Sequence, residues 1–455
     1  MFYFDFPVQI QSALNHYWLL INYLLFFLLF SLAYVAYKKP AIACGILILL
    51  FPAYLFRTKI FGIPTTFLEI SFIAVFIPWF IKNIKPFQVS SFKFQVTGLK
   101  YPIILFLVAS TVSIFTSPNT LSALGLWKAY FIEPVLLFFL FVNVIKTQKE
   151  KEFIFWCLGA STIPIAVFAI FQKFTGWGIA EPMWIGENTR RVTAIFTSPN
   201  AVGLYLGPIA VIYFGWIIKK FKVQSSKFKV IGIFIILLLN VLAILFTKSQ
   251  GTWAGVLAGI IFLCYFLINK KWTAIAVASI TIAIIIIPQT QKILLPYITF
   301  SDQSGQNRVA LWKGSMDYLA SSPKNFLLGS GIFGFPKVQE NFRDPKKIEP
   351  LIYPHNIFLN FWMDTGILGL IAIVWILFQF FKRGFTSYHA TRDQAQPDKL
   401  QAITLRVIRR SPTSYKLTIV AAMITILVHG LIDVPYFKND LSMLFWILIS
   451  MAYIP

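Results

Sequence analysis

Apolar runs long enough to cross about 30 Å of hydrocarbon recur from one end of the chain to the other. They fall at roughly 17–37, 41–56, 65–81, 101–116, 121–145, 153–173, 200–218, 230–247, 252–268, 272–288, 356–381, 416–435 and 441–455. A backbone that crosses lipid must satisfy its own hydrogen bonds, which leaves helices or a closed barrel. Barrel strands alternate in polarity and these runs do not, so the expected fold is all-α: a polytopic transmembrane helical bundle of 12–13 spans. The interval 41–81 reads as either a hairpin or one interrupted span. Of the 455 residues, 58% are hydrophobic and 13% charged, about half the charged share of a soluble domain. A soluble chain this apolar would expose large sticky patches, so a soluble enzyme, a disordered chain and a coiled coil are all excluded.

The 40 Lys and Arg outweigh the 17 Asp and Glu to give +23. These cations do not gather on one soluble face, which argues against nucleic acid as a partner. They sit in short runs after every odd-numbered span: Lys38 and Lys39, Lys82 and Lys85, Lys146 to Lys151, Lys219 to Lys229, Lys270 and Lys271, and Lys382 to Arg410. The positive-inside rule makes those loops cytoplasmic, with the amino terminus outside and the carboxyl terminus inside. Two of the inner stretches are alike, Ser90-Ser91-Phe92-Lys93-Phe94 and Ser225-Ser226-Lys227-Phe228-Lys229, and read as contacts to anionic lipid. No cleavable signal peptide is expected, because the first basic residue, Lys38, follows the first apolar run.

The expected organisation is a bundle of ten spans over 1–288, one large external loop with short helices over 289–355, and three spans over 356–455 with a basic cytoplasmic loop at 382–415. The external loop holds eight cations against five acids. Loops this long in a compact protein are often functional. Cys44, Cys157 and Cys264 are far apart in apolar runs, and there are four histidines, so neither a disulfide framework nor a metal site is expected.

Within that loop Asn307 reads as an N-cap, followed by Leu311, Trp312, Ser315, Met316 and Leu319 at helical spacing up to Pro323. Trp312 suits a membrane interface. Arg308 would stand in the first turn, where a guanidinium beside free backbone N–H groups favours a phosphate; alone, it reads equally as an arginine snorkelling to headgroups. Gly329, Gly331 and Gly334 spell a G-x-G-x-x-G run with no strand before it, which reads as turns rather than a nucleotide loop. His355 sits at the external mouth of the eleventh span, a place where an imidazole can serve as a general base near neutral pH. Arg190 and Arg191 in another external loop, Lys248 in a tight external turn, and Arg308 make three basic clusters on one side, enough to hold a diphosphate. His429 and Asp433 share a helix face. With Glu69 and Glu133 they read as structural partners of the basic loops, in preference to a transport path.

Taken together, these residues resemble the O-antigen ligase and O-antigen polymerase superfamily over about 190–455. His355-Asn356, nine residues, Gly366, two residues and Gly369 look like its H-[NSQ]-x9-G-x-x-[GTY] signature. Asn307-Arg308-Val309-Ala310-Leu311-Trp312 looks like its Arg-x-x-x-Trp opening of the large loop. Phe196 to Gly203, which includes Asn200, and His429-Gly430-Leu431-Ile432-Asp433 are similar to further family segments. The resemblance implies a glycosyltransferase outside the cytoplasmic membrane that needs no cofactor or metal. Its donor would be an undecaprenyl-diphosphate-linked glycan and its acceptor a glycan or lipid-linked sugar. His355 would be catalytic. Arg308 would be both catalytic and a diphosphate ligand, with Arg191, Arg190 and Lys248 as further ligands. Asn356, Trp312, Gly366, Gly369, Asn200 and Asp433 would support them. One position departs from the pattern: relatives have Ser-Arg-Gly where this chain has Ser249-Gln250-Gly251, so that Lys248, Arg190 or Arg191 would have to replace that arginine.

Three competing readings remain. A polymerase would use the same donor. A cell-wall polymerase of the shape-and-division type would use a loop carboxylate such as Asp302 or Asp317. A lipid-linked oligosaccharide flippase or transporter would need charges near mid-span, whereas this chain concentrates its polarity on one side.

Overall fold

The structure is a computed structural model that describes residues 3–4, 17–83, 98–221, 227–343, 351–393 and 412–454. The Ser90–Phe94 stretch, Ser225 and Ser226 of its counterpart, Lys346 and Lys347, and most of the basic loop expected at 382–415 lie outside those residues. The chain is a polytopic helical bundle. Among the described residues seven helices are both long and apolar enough to cross a membrane. These are α1 (Trp18–Lys38), α5 (Thr120–Val144), α6 (Gln148–Thr175), α7 (Pro199–Phe221), α8 (Lys227–Thr247), α9 (Gln250–Ile268) and α15 (Ile357–Asp393). The other expected spans are shorter helices: α2 (Pro40–Leu49), α3 (Phe67–Asn83), α4 (Lys100–Thr116), α10 (Lys270–Ile286), α16 (Pro412–Gly430) and α17 (Asn439–Tyr453).

The interval 41–81 is two helices joined by strand. Pro52 stops α2 and turns the chain through a short 3-10 segment, Phe51–Leu55. A hairpin of β2 (Phe56–Ile60) and β3 (Ile63–Thr66) follows, with β1 (Tyr3–Phe4) antiparallel on the outer edge of β2. Its two turn residues, Phe61 and Gly62, both have positive φ, as the tightest hairpin turn requires.

The last helix is the centre of the bundle. Every residue of α17 is buried, between α3, α5, α7, α15 and α16. The face of α1 carrying Leu20, Tyr23, Phe27 and Phe30 is exposed, as is most of α10, and these are lipid-facing surfaces. Helices α9 and α16 pack closely because Gly251, Gly255 and Gly259 repeat every fourth residue. A Cβ at Gly255 would lie 2.6 Å from the Thr425 carbonyl oxygen, and one at Gly251 would lie 2.6 Å from the His429 ring. Small residues at this spacing let helix backbones approach where no hydrophobic drive brings helices together.

Between α10 and α15 run four further helices: α11 (Pro288–Ile298), α12 (Gln303–Ala320), α13 (Pro323–Leu328) and α14 (Phe335–Val338). They build a small core of their own from Leu311, Leu319, Phe335 and Val338, closed by Leu359 and Met363 of α15. The G-x-G-x-x-G run is a pair of turns in which Gly329 and Gly331 have positive φ. Its attachment to the bundle depends on a break in α15. Gly366 has φ 69° and ψ −179°, which ends one helical stretch and starts another. A Cβ there would lie 2.0 Å from the Leu327 carbonyl oxygen, so only glycine admits α13. The main-chain N–H of Ser330 donates to the Met363 carbonyl (2.6 Å), and Trp362 Nε1 donates to that of Phe326 (2.9 Å).

At Gly369 the obstacles are instead the hydroxyl and Cβ of Thr365, with no main-chain atom of another element among them, and the backbone does not have positive φ. Gly366→Ala is expected to lower the melting temperature in detergent much more than Gly369→Ala. Backbone strain alone costs about 1–3 kcal/mol at such a position, before the clash is added. Equal losses in a thermal-shift comparison would show that the break in α15 does not depend on glycine.

Candidate active site

The end of the bundle that carries the β-hairpin and helices α11 to α14 also carries a polar cluster around one carboxylate. Asp433 follows the end of α16 and is 2% exposed. Its Oδ1 lies 3.3 Å from His355 Nδ1 and accepts the Val434 N–H at 2.8 Å; its Oδ2 accepts from Asn200 Nδ2 at 3.0 Å. His429 Nε2 stands 3.9 Å from the same Oδ2. Burial pushes the carboxyl up. The hydrogen bond from His355, the neighbouring His429 and the Val434 N–H outweigh it and hold Asp433 well below the usual carboxylate range. An ionised carboxylate can only accept, so it fixes the proton of His355 on Nδ1 and leaves Nε2 as a free base. Among the described residues Nε2 has no hydrogen-bond partner.

His355 is placed by its neighbours in sequence. Its φ is 52°, a left-handed conformation uncommon outside glycine. Trp312 Nε1 donates to the carbonyl of Pro354 just before it (2.9 Å). Asn356 just after it caps α15: its Oδ1 accepts the N–H groups of Phe358 and Leu359, both at 3.0 Å, and its Nδ2 donates to the Leu431 carbonyl (3.0 Å). The Trp312 side chain is therefore committed to holding the site and is not a free interfacial anchor.

A cavity of about 270 Å³ opens beside Asp433. Arg191, Lys248 and Arg308 line it together with Asn200, Gln250, His429, Asp302 and Tyr297. Arg308 Nε donates to the Ile432 carbonyl (2.9 Å) and Nη1 to Ser304 Oγ (2.7 Å). Arg191 Nε donates to the Thr247 carbonyl (2.9 Å) and Nη2 to Asn200 Oδ1 (3.2 Å). Asn200 thus bridges a guanidinium and the central carboxylate. Burial pushes the Arg191 guanidinium down from its ordinary value, and the charge of Arg308 pushes it the same way. Arg191 and Arg308 thus bring two guanidinium charges to one cavity, an arrangement whose charge is complementary to an anion.

The expected residues separate at this point. Arg191, Lys248, Arg308, Asn200 and Asp433 line the cavity, and His355 reaches it through Asp433. Arg190 does not line it. Arg190 is 8% exposed, and its guanidinium is turned to the carbonyls of Ile185 (2.8 Å) and Lys173 (3.0 Å), where it ties down the end of α6. Lys248 has φ 51° and donates to the Asn188 carbonyl at 2.9 Å. Gly366 and Gly369 act at a distance, through α15. The expected N-cap at Asn307 is corrected. The helix starts at Gln303, because Gln306 N–H already bonds to the Asp302 carbonyl (2.9 Å). Arg308 is therefore in the second turn, and the free N–H groups belong to the residues from Gln303 onward. Among the described residues no group of three or more His, Cys, Asp or Glu is placed to hold a metal ion.

Ile432 falls in a family-like segment, but the role of its carbonyl in fixing Arg308 has no residue signature, because any residue supplies a backbone acceptor. Asn360 and Asp364 of α15 were also missed. Their signal was an amide and an acid four residues apart in an otherwise apolar run.

Residues 233–374 match the profile of the O-antigen ligase family. That segment holds Lys248, Gln250, Arg308, Trp312, His355, Asn356, Gly366 and Gly369; Arg191, Asn200, His429 and Asp433 come from outside it. No curated protein matches the chain.

A carboxyl held below its ordinary value stabilises the fold fully above the ordinary Asp range of about 4 and loses that contribution as pH falls below it. Asp433→Asn is expected to flatten the fall in melting temperature between about pH 5 and pH 2. A fall as steep as in wild type would mean that Asp433 is not the ionised centre of the cluster.

Proposed function

We propose that this multi-pass protein, with its O-antigen ligase-type segment running from α8 into α15, is a membrane glycosyltransferase. It moves an oligosaccharide or polysaccharide from an undecaprenyl-diphosphate carrier to an acceptor hydroxyl. The observation that carries the reading is the pairing of a free imidazole nitrogen, oriented by Asp433, with a cavity lined by Arg191, Lys248 and Arg308. Such a pair matches the two demands of the reaction. A hydroxyl must lose a proton, and a diphosphate must leave with an added negative charge.

In this reading the carrier enters sideways from lipid with its diphosphate in the cation cavity. Arg308, Arg191 and Lys248 compensate the charge that develops on the leaving oxygen. His355 Nε2 takes the proton of the acceptor hydroxyl, and Asp433 stabilises the imidazolium that forms. The acceptor oxygen bonds to the anomeric carbon as the bond to the diphosphate oxygen breaks. A single displacement of this kind inverts that centre. Lys248 and Arg191 stand beside Gln250 and take the place of the arginine that relatives carry there.

Orientation follows from charge. At the opposite end of the bundle Lys82 donates to the Tyr37 carbonyl (2.7 Å), and Lys151 and Arg383 lie over the Tyr415 and Tyr453 rings at 5.3 and 5.7 Å. The positive-inside rule puts that end in the cytoplasm, and so puts the site on the outer face of the cytoplasmic membrane.

Purified protein in lipid, given an undecaprenyl-diphosphate oligosaccharide and a panel of sugar acceptors, is expected to release the lipid diphosphate. His355→Ala should remain folded and lose about 10²–10⁴-fold in rate. Arg308→Ala should lose about 10²–10³-fold, with Arg308→Lys recovering part of it. Products lengthening into ladders would identify a polymerase. Unimpaired release by His355→Ala, or movement of intact donor across the bilayer without release, would sink the catalytic assignment.

A further inference from the structure

A second cavity is lined by Tyr353, whose ring touches that of His355. It measures about 520 Å³ and is lined by Tyr54, Phe196, Tyr353, Phe437, Asn360 and Asp364. It continues into a cavity of about 240 Å³ that shares Arg57, Leu126, Tyr130, Phe333 and Asn439 with it and ends at Glu69, Thr65 and Thr66. The two make one groove from the active site to the β-hairpin. His355 touches a lining residue of this groove and one of the cation cavity. Its Nδ1 faces Asp433 of the cation cavity, and its ring packs edge-on against Tyr353 of the groove, with centroids 5.3 Å apart.

The groove is polar where packing alone would make it apolar. Asn360 is 2% exposed, and its Oδ1 has no hydrogen-bond partner. Its Nδ2 donates to Asp364 Oδ2 at 3.1 Å, and among the described residues that is the one hydrogen bond the Asp364 side chain receives. A buried amide oxygen without a donor is left without compensation for its lost water, and the Asp364 carboxyl has one partner. A ligand rich in hydroxyl groups supplies the donor that Asn360 Oδ1 lacks and further partners for Asp364. At the far end Glu69 Oε1 accepts from Asn439 Nδ2 (2.6 Å) and Thr66 Oγ1 (3.1 Å), and its Oε2 is paired with Lys128. Acids and amides set among aromatic rings suit a pyranose, whose hydroxyls bond at the edge while its C–H faces lie on the rings.

We propose that this groove binds the sugar residues of the acceptor, with Asn360 and Asp364 holding the hydroxyls nearest the point of transfer. The inference rests on the transfer reading for the choice of acceptor over donor. Attack opposite the leaving group puts the acceptor on the far side of the anomeric carbon from the diphosphate, and His355 touches both cavities' walls, Asp433 of the cation cavity and Tyr353 of the groove.

The test has two arms. In the first, binding of free oligosaccharides (maltose, chitobiose and heptose-containing series) to detergent-purified protein is read by calorimetry without donor. Binding should weaken at least tenfold in Asp364→Asn and in Asn360→Ala. Lys438→Ala, on the rim of the groove, should weaken it in the same direction and serves if either buried variant fails to fold. Arg308→Ala, which alters only the cation cavity, should bind normally. In the second arm, transfer from the undecaprenyl-diphosphate donor is measured at varied acceptor. The groove variants should raise the half-saturating acceptor concentration at least tenfold and leave that of the donor unchanged. Sugar binding without any transfer by wild type would keep the groove and overturn the transferase reading. No sugar binding by wild type, loss of binding in Arg308→Ala, or a shift in donor rather than acceptor saturation would overturn the groove assignment.

Discussion

The site hangs on a single buried anion. Asp433 draws together His355 at the start of α15, Asn200 at the start of α7, and His429 at the end of its own helix, while its neighbours Leu431 and Ile432 receive Asn356 and Arg308. A carboxylate this buried is costly unless several donors face it, and the donors here come from segments far apart in the chain. The interaction orients the base and, through Asn200, fixes one of the cavity's arginines. Removing the charge would loosen His355 and, through Asn200, Arg191 together.

Two backbone features let the elements meet at that anion. The glycines of α9 bring His429 to the edge of the cation cavity, because any larger side chain at Gly251 would push its ring away. The break at Gly366 admits α13, whose contacts with Met363 and Trp362 hold the segment carrying Arg308 and Trp312 onto α15. Gly251 meets the cavity wall without a side chain, and Gly366 is not among its lining residues. Each sets the spacing of the backbones that carry the site, so the chemistry depends on positions with no chemistry of their own.

Much of this was legible in residues close together in the chain. The apolar runs announced helices because lipid permits few alternatives, and His355-Asn356 with its glycines marked the mouth of a span. Arg308 and Trp312 were visible as a pair, although Asn307 proved to lie inside the helix, because a cap depends on where the chain turns and not on residue type alone. Arg190 and Arg191 could not be told apart in sequence. One is locked on two carbonyls and the other lines the cavity, since adjacent residues in an extended loop point opposite ways. The β-hairpin hid inside an apolar interval whose length fits a span as well as two shorter helices.

The sequence by itself determined the solvent of this protein, its helical class, the clustering of charge at its two ends and the residue types available for proton transfer and anion binding. Those follow from composition and local periodicity, which act over a few residues. Only the tertiary structure decided that Asp433 orients His355, that Arg191 and Arg308 face one cavity, and that Asn360 and Asp364 open on another. Those juxtapositions join residues as many as 233 apart. They are fixed by how backbones pack around α17, and no local pattern encodes that distance.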